Sequence, residues 1–170
     1  MSVHYSGKQS QRGVGLIEVL VSLLLLAVAV IGFAALQVKA VSTTNTAVYR
    51  TQGMAIAQEL AERIRVNYGQ TAAYRAADWS VLPTKECLTA TCTPAEMVSY
   101  DIRVTKQLAA ATLPNGDVAM RQCGGTPYMC IYVAWNDTST KNDGSTNACG
   151  TSTGSYASLA ADCVIMEVYQ

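Results

Sequence analysis

Histidine is nearly absent from this 170-residue chain. The single one, His4, lies in the first thirteen residues. Downstream of that leader there is no imidazole, so Ser-His-Asp and Cys-His catalysis and any His-ligated metal site lose their base or ligand. A net basic field is missing too, because 12 Lys+Arg meet 12 Asp+Glu. Without the leader, which holds Lys8 and Arg12 and no acid, 10 basic side chains face 12 acidic ones, formally −2. Non-specific nucleic-acid binding rests on many Lys/Arg–phosphate contacts, so no nucleic-acid partner is expected. Proline is absent up to Pro83, and Pro94, Pro114 and Pro127 follow. An unbroken helix is therefore possible over the first third of the chain. No cysteine pair has the C-x2-C spacing of zinc sites. Catalytic residues, metal sites and cofactors are all expected to be none.

The chain does have a long apolar run. From Val19 to Leu36 only Ser22 is polar, and counting from Val14 adds five residues with one charge, Glu18. Twenty-three helical residues reach about 35 Å, enough for a ~30 Å hydrocarbon core. A secretory signal peptide has a shorter apolar region, followed by a small-residue cleavage site. A plain transmembrane anchor explains the length and, by the positive-inside rule, Lys8 and Arg12. Neither explains Glu18, since a carboxylate in a spanning helix costs roughly 2.5–3.5 kcal/mol and calls for a cationic partner.

Further on, Val41, Val48, Ala55, Ile56, Leu60 and Ile64 keep three- and four-residue steps, which predicts one helix from Val14 to Asn67 with an apolar stripe in its second half. Glu59, Glu62, Arg63 and Arg65 read as its solvated face. Thr93-Pro94-Ala95-Glu96 reads as a capped start of a helix over 94–111, with Met97, Asp101, Val104 and Leu108 on one face. Leu113 to Asp117 is a turn, and Val118–Gln122, Met129–Trp135 and Cys163–Tyr169 read as strands. The first two strands are joined as a hairpin through Gly124 to Pro127. Residues 136–162 are rich in Asn, Asp, Ser, Thr and Gly, which predicts a long loop or partly ordered excursion. Asp137 and Asp143 beside Asn136 and Asn142 do not have EF-hand spacing. Asn136-Asp137-Thr138 matches a sequon but reads as turn chemistry. Tyr128, Tyr132 and Trp135 are expected to pack in the core rather than to form a stacking platform.

All six cysteines, Cys87, Cys92, Cys123, Cys130, Cys149 and Cys163, follow the apolar segment. An even count on one side of a membrane segment points to an oxidising compartment and disulfides. Fifteen connectivities are possible; sequential pairing is preferred because two of its loops are short. A Cys149–Cys163 bridge would contribute about 3 kcal/mol in the chain-entropy model.

Arg12-Gly13-Val14-Gly15-Leu16-Ile17-Glu18 resembles the class III signal of type IV pilins and pseudopilins, with Val14 and Gly15 where the family commonly has Phe and Ser or Thr. The resemblance implies an α+β pilin fold, a long N-terminal helix packed on a small antiparallel sheet head. It implies cleavage by prepilin peptidase between Gly13 and Val14 and methylation of Val14. Glu18 would then pair with the N-terminal amine of a neighbouring subunit during pilus assembly. The implied organisation is a leader over 1–13, a transmembrane or fibre-core half over 14–36, an amphipathic half over 37–67 and a head over 68–170. The implied location is the bacterial inner membrane, head in the periplasm, before assembly into a surface fimbrium of the kind that serves adhesion and twitching motility. GLIEVLVSLLLLAVAVIGFAALQ, AQELAERIRVN and LPNG are most similar to PilV-type minor pilins of type IVa pili. That likeness implies a tip-associated priming role with other minor pilins and the major pilin as partners. A type II secretion pseudopilin shares these features. A DNA-uptake pilin would need a basic cluster, for which only Arg103, Lys106 and Arg121 are candidates. A membrane-anchored periplasmic enzyme is the remaining class.

Overall fold

The computed structural model describes Gly13 and residues 15–168. The expected leader up to Arg12, the expected methylation position Val14 and the strand end expected at Tyr169 lie outside the described residues. The chain divides into two compact units, one up to Thr44 and one from Asn45 onward. Helix α1, Leu16–Val66, belongs to both.

Its length follows from the missing proline and a run of Leu, Ala and Val. An acid in the first turn, Glu18, and Arg63 and Arg65 in the last complement the helix dipole. In the N-terminal unit the helix is apolar all round, and none of its most apolar 18-residue window is buried. It is long and apolar enough to cross a membrane.

In the second unit α1 buries Gly53, Ile56, Ala57, Leu60 and Ile64. This corrects the upper end of the expected stripe. Val41, Val48 and Ala55 are exposed, because the helix meets the head only from Tyr49, which is partly buried against the core, and its first fully buried residue is Gly53. The approach there is close: an added Cβ would lie 3.1 Å from Trp135 Cζ3 and 3.3 Å from Val164 Cγ2, so a larger residue would push both side chains back by a few tenths of an ångström. A 3-10 turn, Tyr68–Gln70, and a short helix α2, Thr71–Ala76, follow. Helix α2 has no period of its own to read. It is held by Tyr74, fully buried, and by Trp79, whose indole N–H donates to the Tyr74 carbonyl at 3.1 Å.

Helix α3, Pro94–Thr112, starts as the sequence indicates. Glu96 N donates to Thr93 Oγ1 at 3.3 Å and Thr93 N donates to Glu96 Oε2 at 2.9 Å, the reciprocal pair of a capping box. Its buried face is Val98, Asp101, Ile102, Thr105 and Ala109. Met97, Val104 and Leu108 are only half-buried, so the expected face is turned by about one residue. The segment mixes helical and alternating periods, and only packing against the sheet selects the face. Gly116 in the following turn lies against the end of α3, where a Cβ would sit 2.1 Å from the Ala109 carbonyl oxygen.

Strands β1 (Asp117–Gln122), β2 (Met129–Ala134) and β3 (Cys163–Val168) form an antiparallel sheet in the order β1-β2-β3. Register pairs Val118 with Val133 and Val133 with Val164 on one face, and Ala119 with Tyr132 and Tyr132 with Ile165 on the other. The first face packs with Ile56, Leu60, Ile64, Val98 and Ile102 in the main core. All six residues of β2 are buried, so its second face must be covered as well. The cover is the 136–162 segment, which is thus no excursion. Cys149 and Ala161 pack with Cys130, Tyr132, Ala134 and Cys163 in a second core. Ladder-like bridges at Ser139–Ala148 and Gly150–Tyr156 order the segment, and Trp135 N donates to the Asp162 carbonyl at 2.9 Å.

Candidate assembly site

Glu18 sits in the first turn of α1, where its N–H donates to the Gly15 carbonyl at 2.9 Å and its own carbonyl accepts from Ser22 Oγ at 2.7 Å. Backbone and hydroxyl are satisfied locally, as an apolar surrounding demands. The carboxylate has no ion pair or hydrogen bond among the described residues. Around it Leu16, Ile17, Val19 and Leu20 are exposed. One uncompensated negative charge on an all-apolar helix disfavours an isolated spanning state and favours any arrangement that brings a cation to it. Gly13 is exposed, with nothing within 4 Å of where a Cβ would stand.

The head is locked where α1, α2 and α3 meet. Arg63 reaches Glu59 Oε1 at 2.7 Å and Asp101 Oδ1 at 3.1 Å, and the Tyr74 hydroxyl donates to the other Asp101 oxygen. Asn67 Nδ2 donates to the Pro94 carbonyl at 2.9 Å. Burial first, then the bond to Asp101, holds the Tyr74 phenol well above its usual ionisation range. For Arg63 burial works against the charge, but the bonds to Glu59 and Asp101 outweigh it and raise its pKa. Only part of the charged stretch on α1 is therefore a solvated face: Glu62 and Arg65 pair in solvent, while Arg63 turns inward. Sequence reading missed this lock. Its one visible trace was an acid, Asp101, on the apolar face of a helix.

Residues 8–34 match the family model described as the prokaryotic N-terminal methylation motif, and residues 35–103 match that of type IV pilin Tt1218. The chain belongs to the type IV pilin family. No curated protein and no solved structure matches it. Neither family match reaches the sheet, so the pilin's β-head is known from its own packing alone.

In this pilin the six cysteines form three bridges, Cys87–Cys92, Cys123–Cys130 and Cys149–Cys163, the sequential pairing. The first closes a turn before α3, the second spans the β1–β2 hairpin, and the third ties the covering segment to β3. Of the three aromatics expected in the core, Tyr132 and Trp135 are fully buried. Tyr128, at the hairpin mouth, is 45% exposed. The three candidate basic residues do not form a free cluster. Arg103 pairs with Glu86 at 2.5 Å, Lys106 with Asp117 at 2.5 Å, and Arg121 Nε donates to the Thr140 carbonyl at 2.8 Å. The Asn136 amide donates to Asp162 at 2.8 Å, and Asp143 accepts from Ser145 N at 3.0 Å, as turn residues do. Among the described residues no group of three His, Cys, Asp or Glu side chains could hold a metal ion.

Proposed function

We propose that this pilin is a minor subunit that primes assembly of a type IV pilus and sits in a tip-associated complex with other minor pilins and the major pilin. The observation that carries the reading is Glu18, a carboxylate without a partner among the described residues, near the start of an exposed apolar helix. Prepilin peptidase cuts after Gly13 and Val14 is methylated. Residues 14–36 span the inner membrane before assembly and enter the fibre core after it; residues 37–67 continue as the amphipathic half of the helix, and 68–170 form the periplasmic head. Glu18 meets the N-terminal amine of a neighbouring subunit, and pairing cancels both charges in an apolar bundle. The role is structural rather than enzymatic. Arg103, Lys106 and Arg121 are engaged within the head, which supports a fibre subunit over a DNA-binding one.

The test is Glu18→Ala in the organism. The variant is expected to insert and to reach the mature mass, yet to be depleted from sheared pili. Incorporation at the wild-type level would overturn the pairing role. Replacing residues 14–36 by an unrelated anchor is expected to abolish function, whereas rescue would favour an anchored enzyme.

A further inference from the structure

Where α1 ends, the 3-10 turn, α2 and the end of β3 leave a cleft of about 460 Å³. Its floor is apolar, formed by Ile64 and Val168, and Arg65, Tyr68 and Arg75 stand on its rim. Two features set it apart from an ordinary surface dent. Tyr68, which lines it, is 81% exposed, an aromatic ring presented to a partner rather than packed away. Arg65 is matched by Glu62, but Arg75 is exposed and has no ion pair or hydrogen bond among the described residues. The cleft thus carries one positive charge without a partner among the described residues, beside an aromatic ring and an aliphatic floor. Tyr and Arg beside apolar pockets are the side chains that dominate binding at protein interfaces, and a guanidinium matches the fork of a carboxylate.

We infer that this cleft docks a segment of another protein in which an Asp or Glu adjoins an aliphatic or aromatic residue. The apolar side chain lies over Ile64 and Val168 against the Tyr68 ring, and the carboxylate meets Arg75. The opening holds a few side chains rather than a domain face, so a peptide segment fits it and an extended interface does not. The inference concerns the head alone and stands whether or not Glu18 acts in assembly.

The test uses the full chain in a neutral detergent, with fluorescein-labelled decapeptides of alternating Asp and Leu, or of alternating Lys and Leu, followed by anisotropy. The Asp-Leu probe is expected to bind and the Lys-Leu probe not. Arg75→Glu should weaken the Asp-Leu probe by about tenfold or more and admit the Lys-Leu probe. Tyr68→Ala should weaken the Asp-Leu probe without changing the charge preference, and unchanged thermal melting of both variants shows that the head is intact. Should Arg75→Glu lower the melting point, Arg75→Gln takes its place, with loss of the Asp-Leu probe expected. Equal binding of the two probes, or Asp-Leu binding indifferent to Arg75, would overturn the inference. So would sedimentation showing self-association that depends on Arg75 while the Asp-Leu probe does not bind, since the cleft would then take a second copy.

Discussion

Removing the Asp101 carboxylate is expected to unlock the head while leaving its covalent frame intact. In Asp101→Ala the Tyr74 hydroxyl, fully buried, loses the acceptor of its proton. A buried unsatisfied donor costs about 1–3 kcal/mol. Arg63 loses a partner at 3.1 Å but keeps Glu59, and because it is 30% exposed that pair adds about 1 kcal/mol at most. The sum, about 1–4 kcal/mol, corresponds to a fall in melting temperature of about 3–15 °C in a domain of this size. Both tryptophans, Trp79 and Trp135, are buried, and Trp79 bonds to Tyr74 itself, so tryptophan fluorescence during thermal unfolding reports on the lock. Asp101→Asn keeps an oxygen for Tyr74 and should cost about 1 kcal/mol, the share of the Arg63 pair. Pairing Asp101→Ala with Tyr74→Phe should give less than the sum of the single losses, with a coupling of about 1–2 kcal/mol. Additive losses, or an Asn variant as weak as the Ala one, would refute the assignment of most of the energy to the phenol's acceptor.

Gly13→Ala should leave an unprocessed precursor, so a mature intact mass from that variant would contradict the cleavage position. The Glu96 carboxyl is held down to about 2 by Lys85 first and then by the Thr93 backbone and side chain. A depressed folded-state pKa means that its stabilising contribution is present above the ordinary carboxylate value of 4.5 and is lost as pH falls from there toward 2. Acid titration of helicity should therefore show a component in that window that Glu96→Gln removes; an identical titration in the variant would exclude it. Replacing Cys149 and Cys163 together by serine should free the 136–162 segment, giving limited proteolysis inside it while α1 and α3 persist. Resistance equal to the parent would show that the segment is held without the bridge.

The elements that depend on local rules were legible in the sequence. A proline-free run gave α1, Thr93-Pro94-Ala95-Glu96 gave the start of α3, and β-branched and aromatic clusters gave the three strands within a residue or so. The apolar run and Glu18 were equally visible, because a charge in such a run needs no tertiary context to stand out. What escaped depends on neighbours far along the chain. Helix α2 has six residues and no period, and exists because Tyr74 fills the core and finds Asp101 across 27 positions. The face of α3 is chosen by the sheet. Residues 136–162 have the composition of a loop, yet they cover β2 because small residues permit a close approach: at Gly124 a Cβ would stand 2.0 Å from Gly154 N. Arg63 could not be told from Arg65 by spacing, since what separates them is the position of Asp101.

The three disulfides all lie after residue 86, and none reaches α1. Tension along the chain therefore meets two materials in series. Each bridge closes only a local loop, of separation 5, 7 or 14, and the strands between them are held by hydrogen bonds and packing. The grip of the head on α1 is a shear joint made of Gly53, Ile56, Ala57, Leu60 and Ile64, pinned at its far end by Arg63 and near its start by Arg50, whose guanidinium donates to the Ala161 carbonyl at 3.2 Å. No covalent cross-link joins the two sides of this seam. The joint between head and helix is thus a non-covalent interface, one that can re-form once a pull is released.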